Sequence, residues 1–240
     1  MPRPMLSLVL AALLGATLAG FAAQGAAAQD PASAPREELV AVGDYSYDDF
    51  HNGFRLSRLI DLPVIGADGK PIGKIADVTI GFPGELERVV IEPGAAAPPM
   101  EGGQFSLRWN QLEVRENFDS AKTALSAENL EQTAPGQPIG PVERPGIRVD
   151  QWHVSELVGS RLEIDGDVPV GTVDDIIAGG NDVVKAVVFR DAEAGTLRAV
   201  PWRSVVVEPG GKILTVPLTK PVIAELPAFD YEDMAEYVPD

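Results

Sequence analysis

From residue 54 onward, apolar and polar positions alternate in short runs. Phe54 and Leu56 alternate with Arg55 and Ser57, as a half-buried strand does. An apolar stretch at 62–65 leads into Ala67-Asp68-Gly69-Lys70, whose Asp-Gly pair signals a tight hairpin turn. A long strand is predicted over 72–80, with Gly73 marking a bulge or a close backbone approach. Phe82-Pro83-Gly84-Glu85 turns the chain, and 86–92 pairs back. After a loop rich in Gly, Pro and Ala at 93–103, Phe105, Leu107 and Trp109 alternate, and Leu112 and Val114 open another strand. Ser126-Ala127-Glu128-Asn129-Leu130 reads as a capped helical turn. The strands and connections are short, with no intervening helix. That pattern predicts an all-β fold, an antiparallel sheet closing on itself as a small barrel.

The same grammar is written twice. Pro71-Ile72-Gly73-Lys74-Ile75-Ala76-Asp77-Val78 returns 98 residues later as Pro169-Val170-Gly171-Thr172-Val173-Asp174-Asp175-Ile176. At the same offset Phe54, Leu56, Ser57 and Leu59 match Trp152, Val154, Ser155 and Leu157, and Val89-Val90-Ile91 match Val187-Val188-Phe189. A shorter loop at 191–195 lowers the offset to 93, which aligns Trp109 with Trp202 and Leu125-Ser126 with Leu218-Thr219. A period this long means two copies of one small domain rather than a solenoid. The expected organisation is a first repeat at 54–134, a linker at 135–151 and a second repeat at 152–229. Pro135, Pro138, Pro141 and Pro145 make that linker semi-rigid. Two separately folded antiparallel barrels are expected, each closed by a short helical turn.

These residues resemble a known family. Leu59, Val64, Asp68-Gly69, Ile72-Gly73-Lys74-Ile75, Asp77-Val78, Val89-Val90-Ile91 and Trp109 are similar to the PRC-barrel domain. That domain is named for the photosynthetic reaction-centre H subunit and also occurs in a ribosome-maturation factor. The second repeat resembles it through Leu157, Gly171, Val173, Asp175, Ile176, Val187-Val188, Val200-Pro201-Trp202 and Thr219. The resemblance implies a small β-barrel used for protein contacts, with no catalytic residue set to carry over. Neither namesake's function transfers, because this chain has neither a spanning helix nor a ribosome-facing location.

The N-terminus changes the picture of location. Arg3, an uncharged apolar run at 5–21 and Ala26-Ala27-Ala28 predict a signal peptide over 1–28, cleaved before Gln29. An anchor is the competing reading, but Gly15, Thr17 and Gly20 dilute the run and no basic flank follows. The expected location is periplasmic or secreted, with no membrane span after cleavage. Cys is 0, so stability must come from apolar burial.

The formal net charge is −17, and it concentrates in two flanks. The leader at 29–53 sets Asp30, Glu37, Glu38, Asp44, Asp48 and Asp49 against Arg36; the tail at 230–240 holds Asp230, Glu232, Asp233, Glu236 and Asp240 without a base. That balance disfavours nucleic-acid binding, which needs a basic face, so no nucleic-acid partner is expected. The acids serve either solubility or the steering of a basic partner. Tyr45, Tyr47 and Phe50 either dock on the first lobe or ride on a disordered tether.

Candidate chemistry is sparse. The two histidines, His51 and His153, have no Cys beside them to build a zinc or thiol site. Alternation points His153 outward, as a surface residue. There is no Gly-x-Ser-x-Gly elbow, and in 69–75 the glycines stand one residue too close for a phosphate loop. Asp165-Gly166-Asp167 hints at calcium, but Pro169 and Ile176 replace the ligands an EF-hand requires. Weak surface binding to Asp165, Asp167 and Asp174 stays open. Asp77 and Asp175 hold corresponding places, either as paired carboxylates or, better, as caps of a turn or bulge. Trp109 and Trp202 fit core anchors better than sugar platforms.

No catalytic, cofactor or metal residue is therefore assigned. The expectation is an exported, non-enzymatic, acidic tandem PRC-barrel protein that contacts a protein partner in the cell envelope. A small-ligand or calcium module at the interlobe cleft is the alternative.

Overall fold

The computed structural model describes residues 47–95, 103–115, 117–126, 128, 151–164 and 167–235. All of them belong to the compact unit 38–240. The expected signal at 1–28, the leader up to 46, the linker proline and glycine positions, Asp165 and most of the helical turn at 126–130 lie outside the described residues.

The first repeat forms β2 (Pro63–Ile65), β3 (Pro71–Gly81), β4 (Glu85–Pro93), β5 (Phe105–Arg108), β6 (Leu112–Val114) and β7 (Ala121–Thr123), preceded by β1 (Gly53–Arg55). The second repeats the series, with β8 (Gln151–His153) first. Then come β9 (Arg161–Ile164), β10 (Val168–Gly179), β11 (Val184–Asp191), β12 (Leu197–Pro201), β13 (Val206–Val207) and β14 (Ile213–Val216). Helices are few and short: α1 (Tyr47–His51), α2 (Val154–Leu157) and α3 (Lys220–Glu225). Between β2 and β3 the chain turns at Gly69, whose φ of 76° is left-handed as the Asp-Gly pair foretold. At Gly73 a Cβ would lie 2.4 Å from the Glu92 carbonyl oxygen, so the close backbone approach holds there.

The two sheets share one order. One runs β5-β4-β3-β2-β7-β6 and the other β12-β11-β10-β9-β14-β13. The orientation is mixed rather than wholly antiparallel, because β2 lies parallel to β7 and β9 parallel to β14. The 3₁₀ turn Trp109–Gln111 carries the chain off the β5 edge, and the β6–β7 hairpin returns beside β2 in the same direction. Among the described residues neither hydrogen-bonded path comes back on itself, so each repeat is an open sheet rather than the expected closed barrel. Of the closing helical turns, α3 is seen in the second repeat.

The larger departure is that the repeats exchange their opening strands. β1 precedes the first sheet in sequence but pairs with β10 of the second, placing Phe54 opposite Ala178. β8 reciprocally pairs with β3, placing Trp152 opposite Ile80. The registers are equivalent under the offset of 98. A pseudo-two-fold axis passes between them, and Glu85 bridges its own counterpart, Val183, across it. Leu86 N donates to Asp182 O at 2.9 Å, while Val184 N donates to Gly84 O at 2.8 Å.

The expectation of two separate cores gives way to one continuous apolar cluster. Leu56, Ile75, Val78 and Trp109 belong to it together with Leu157, Val173, Ile176 and Trp202. A second, smaller cluster lies on the outer face of the second sheet. There Phe50 and Phe229 cover Ile177, Ala186, Val188 and Ala199, flanked by Tyr47, Tyr231 and Met234. Tyr47 and Phe50 of the leader thus dock on the second lobe, not the first, while Tyr45 lies outside the described residues.

Candidate functional site

Asp77 and Asp175 sit one residue past a bulge, where the β3–β4 and β10–β11 registers shift. The bulge turns each carboxylate inward and along the strand, toward the opening turn of the other repeat. Asp175 is fully buried. Its Oδ1 accepts from the backbone N–H of Ile176 (2.8 Å) and Ser57 (3.1 Å). Its Oδ2 accepts from Ser57 Oγ (2.5 Å) and Arg55 Nε (2.6 Å). Asp77 repeats the pattern with Val78 N (2.8 Å), Ser155 N (3.1 Å), Ser155 Oγ (2.5 Å) and His153 Nδ1 (3.0 Å). Burial pushes the Asp77 carboxyl upward, but the His153 and Ser155 side chains and the two backbone N–H groups outweigh it and hold the group below the usual carboxylate range.

Each carboxylate therefore caps its own bulge and the opening turn of the opposite lobe. The capping reading was correct, but its reach across the pseudo-two-fold was not legible from spacing. His153 is correspondingly not an outward surface group; its side chain is 24% exposed and bound to Asp77. The two carboxylates serve two separate clasps, not one shared acid–base site.

Other sequence candidates are also engaged in structure. His51 stacks on Phe229 with ring centres 4.6 Å apart, and its Nδ1–H donates to the Tyr47 carbonyl at 3.2 Å. Asp174 takes Arg190 Nη2 on one oxygen (3.0 Å) and the Tyr231 hydroxyl on the other (2.8 Å). Burial first, and the Asp174 hydrogen bond second, push the Tyr231 hydroxyl well above its usual range. Arg55 lies 3.8 Å over the Tyr231 ring, so the tail is tied to the second clasp. Among the described residues, no group of three His, Cys, Asp or Glu is placed to hold a metal ion.

Both tryptophans are core anchors, as expected, being 6% and 4% exposed. They differ in what meets their polar edge. Trp202 Nε1–H donates to the Pro83 carbonyl at 2.9 Å, and the backbone of Gly84 presses so close to that ring that a Cβ would lie 2.6 Å from it. Trp109 stacks against Phe54, with ring centres 6.2 Å apart, and its indole N–H has no acceptor among the described residues. It walls an open interlobe groove of about 270 Å³, with Glu85, Glu87, Arg108, Asn181 and Asp182 around it. Sequence reasoning matched the tryptophans but did not find this groove, which depends on how the two turns meet.

The site and fold define a β-rich protein of two interleaved repeats, with its polar chemistry directed at interlobe contacts. Residues 51–115 match the PRC-barrel domain. No curated protein matches the chain. Among solved structures, a putative 16S ribosomal RNA processing protein, RimM, from Pseudomonas aeruginosa is similar at 11% identity, over 60% of this chain and 96% of that one, with a TM-score of 0.23. A likeness that slight carries no argument about function. No helix among the described residues is long and apolar enough to cross a membrane.

Proposed function

We propose that this protein is an exported, non-catalytic interaction module of the cell envelope, built from two PRC-barrel-like repeats. The observation that carries the reading is the destination of its buried carboxylates. Asp77 and Asp175 are consumed in fastening one repeat to the other, which makes a rigid platform for a partner. The PRC-barrel match at 51–115 supports the same reading. The pattern of Arg3, an apolar run and Ala26-Ala27-Ala28 supports export and cleavage before Gln29. Calcium binding has less behind it, because both oxygens of Asp174 are already taken.

Crosslinking in the native envelope, followed by mass spectrometry, tests the reading. Reproducible crosslinks from the two lobes to one envelope protein are expected. A mature protein that retains Met1, by N-terminal sequencing, would overturn export. Stabilisation by calcium of about 2.7 kcal/mol at 100 times its dissociation constant would favour the metal-binding alternative.

A further inference from the structure

The pseudo-two-fold axis makes the molecule its own control for the groove beside Trp109. Each repeat turns at the equivalent place between its two long strands: Gly84 N donates to Gly81 O at 2.6 Å, and Asp182 N donates to Gly179 O at 3.1 Å. The Phe82-Pro83-Gly84 turn reaches Trp202, gives its indole a carbonyl acceptor, and lays glycine backbone against the ring. The equivalent Gly180-Asn181-Asp182 turn lines the groove at Trp109 but makes no hydrogen bond to that indole. Both rings are buried, but the indole edge of Trp202 meets a proline-glycine turn, while that of its counterpart Trp109 lines an open groove of about 270 Å³.

We propose that the Trp109 groove binds a proline-glycine turn of a partner protein, flanked by basic residues. The partner's carbonyl before glycine accepts from Trp109 Nε1–H, reproducing the Pro83 contact across the axis, and the glycine lets that backbone approach the indole edge that lines the groove. Basic flanks follow from the rim, where Glu85, Glu87 and Asp182 face Arg108 as the single cation among the lining residues. Glu87 already accepts from Gln151 Nε2 at 2.7 Å, so Glu85 and Asp182, both exposed, are the carboxylates open to the partner. The turn is recognised through backbone, with charge setting which turns are admitted. This inference rests on the reading of the protein as an interaction module and names the chemistry of its partner.

The probe is a synthetic peptide, acetyl-Lys-Gly-Phe-Pro-Gly-Lys-amide, titrated into the full mature chain. The observable is the NMR indole N–H resonance of each of the 3 tryptophans. A saturable downfield shift confined to the Trp109 signal is expected, weakening as salt rises. Trp109→Phe keeps a ring against Phe54 but removes the donor, and should weaken binding about fivefold, followed through the lysine-labelled peptide. Glu85→Gln with Asp182→Asn, both outside the core, should weaken it about threefold and flatten the salt dependence. A peptide with Ala in place of Pro should bind more weakly than the parent. The proposal is overturned by the absence of a saturable Trp109 shift, by equal shifts at all three indoles, or by indifference to the loss of proline. If the crosslinked envelope complex survives Trp109→Phe while the peptide fails to bind, the groove assignment falls and the interaction reading stands. If neither complex nor peptide binding is found, both fall.

Discussion

The outer faces of the two sheets start from one backbone plan and end in opposite chemistry. On the second sheet, Ile177, Ala186, Val188 and Ala199 form an apolar surface sealed by Phe50 and Phe229. The positions equivalent by the repeat are Thr79, Arg88, Val90 and Ser106 on the first. Three of those four are polar, and they satisfy one another. Arg88 Nε donates to Ser106 Oγ at 2.8 Å, and Gln151 Nε2 donates to Thr79 Oγ1 at 3.3 Å and Glu87 Oε2 at 2.7 Å. A duplicated fold keeps its inward pattern because both copies share a core, whereas each outward face is free to diverge. Here one face has become a docking surface for the chain's own acidic flanks, and the other a polar network.

That comparison also revises the role of the flanks. Tyr47, Phe50 and Tyr231, the flank aromatics among the described residues, are structural on the second lobe: the Tyr47 hydroxyl donates to Ala199 O at 2.9 Å, and Ala235 N donates to His51 O at 2.9 Å. The Arg198 guanidinium donates to the Leu226 carbonyl while its Nε meets Asp191 at 2.8 Å, fastening the end of α3 just before the tail. The acids at Asp48, Asp49, Glu232 and Asp233 ride outward on these aromatic anchors.

The largest expected effect comes from the exchanged strands, which bind the halves regardless of chain continuity. With a protease site engineered inside 135–146, cutting should leave two fragments that co-elute on size exclusion and part only in denaturant. Fragments that separate under native conditions would show that β1 and β8 do not hold the lobes together. Next in size is the lid. Phe229→Ala should cost about 3–5 kcal/mol in urea unfolding, as a truncated buried aromatic does, while Arg88→Ala on the other face should cost about 1 kcal/mol. Equal costs would erase the contrast between the two faces.

The clasps should differ more modestly. Asp175→Asn removes a fully buried carboxylate from a guanidinium and should cost about 2–3 kcal/mol, discounted because the Arg55 side chain is 31% exposed. Asp77→Asn, facing an imidazole and 13% exposed at the side chain, should cost about 1 kcal/mol less. A reversed order would mean that the guanidinium contributes less than its tyrosine contact implies. The smallest effect is on pH. Because the Asp77 carboxyl is held below its ordinary range in the fold, the unfolded chain binds more protons in acid. Its contribution is complete above the ordinary carboxylate pKa of about 4 and is lost as pH falls through the lowered folded value. Asp77→Asn should therefore flatten the fall of stability below about pH 4, measured by urea midpoints. An unchanged slope would place the acid sensitivity elsewhere.

Strand positions and their inward faces were written in the sequence. The period-two alternation and the Asp-Gly turn located β2, β3 and β4, and the repeat located their counterparts, because side-chain burial and turn conformation are local properties. Ile75 and Val78, three residues apart, are both fully buried because the bulge between Ile75 and Asp77 shifts the alternation by one residue. The equivalence of Asp77 with Asp175, and of Ser57 with Ser155, was legible too. What those residues touch was not. A strand of three residues carries no signal saying which sheet it will join, since β1 and β8 could satisfy the same hydrogen bonds in either lobe. Only the meeting of two similar lobes about an axis decided that each opening turn is capped by the other's carboxylate. The same meeting closed the groove at Trp202 with Pro83 and Gly84 and left it open at Trp109, because the contact depends on two turns distant in sequence and on the space between them.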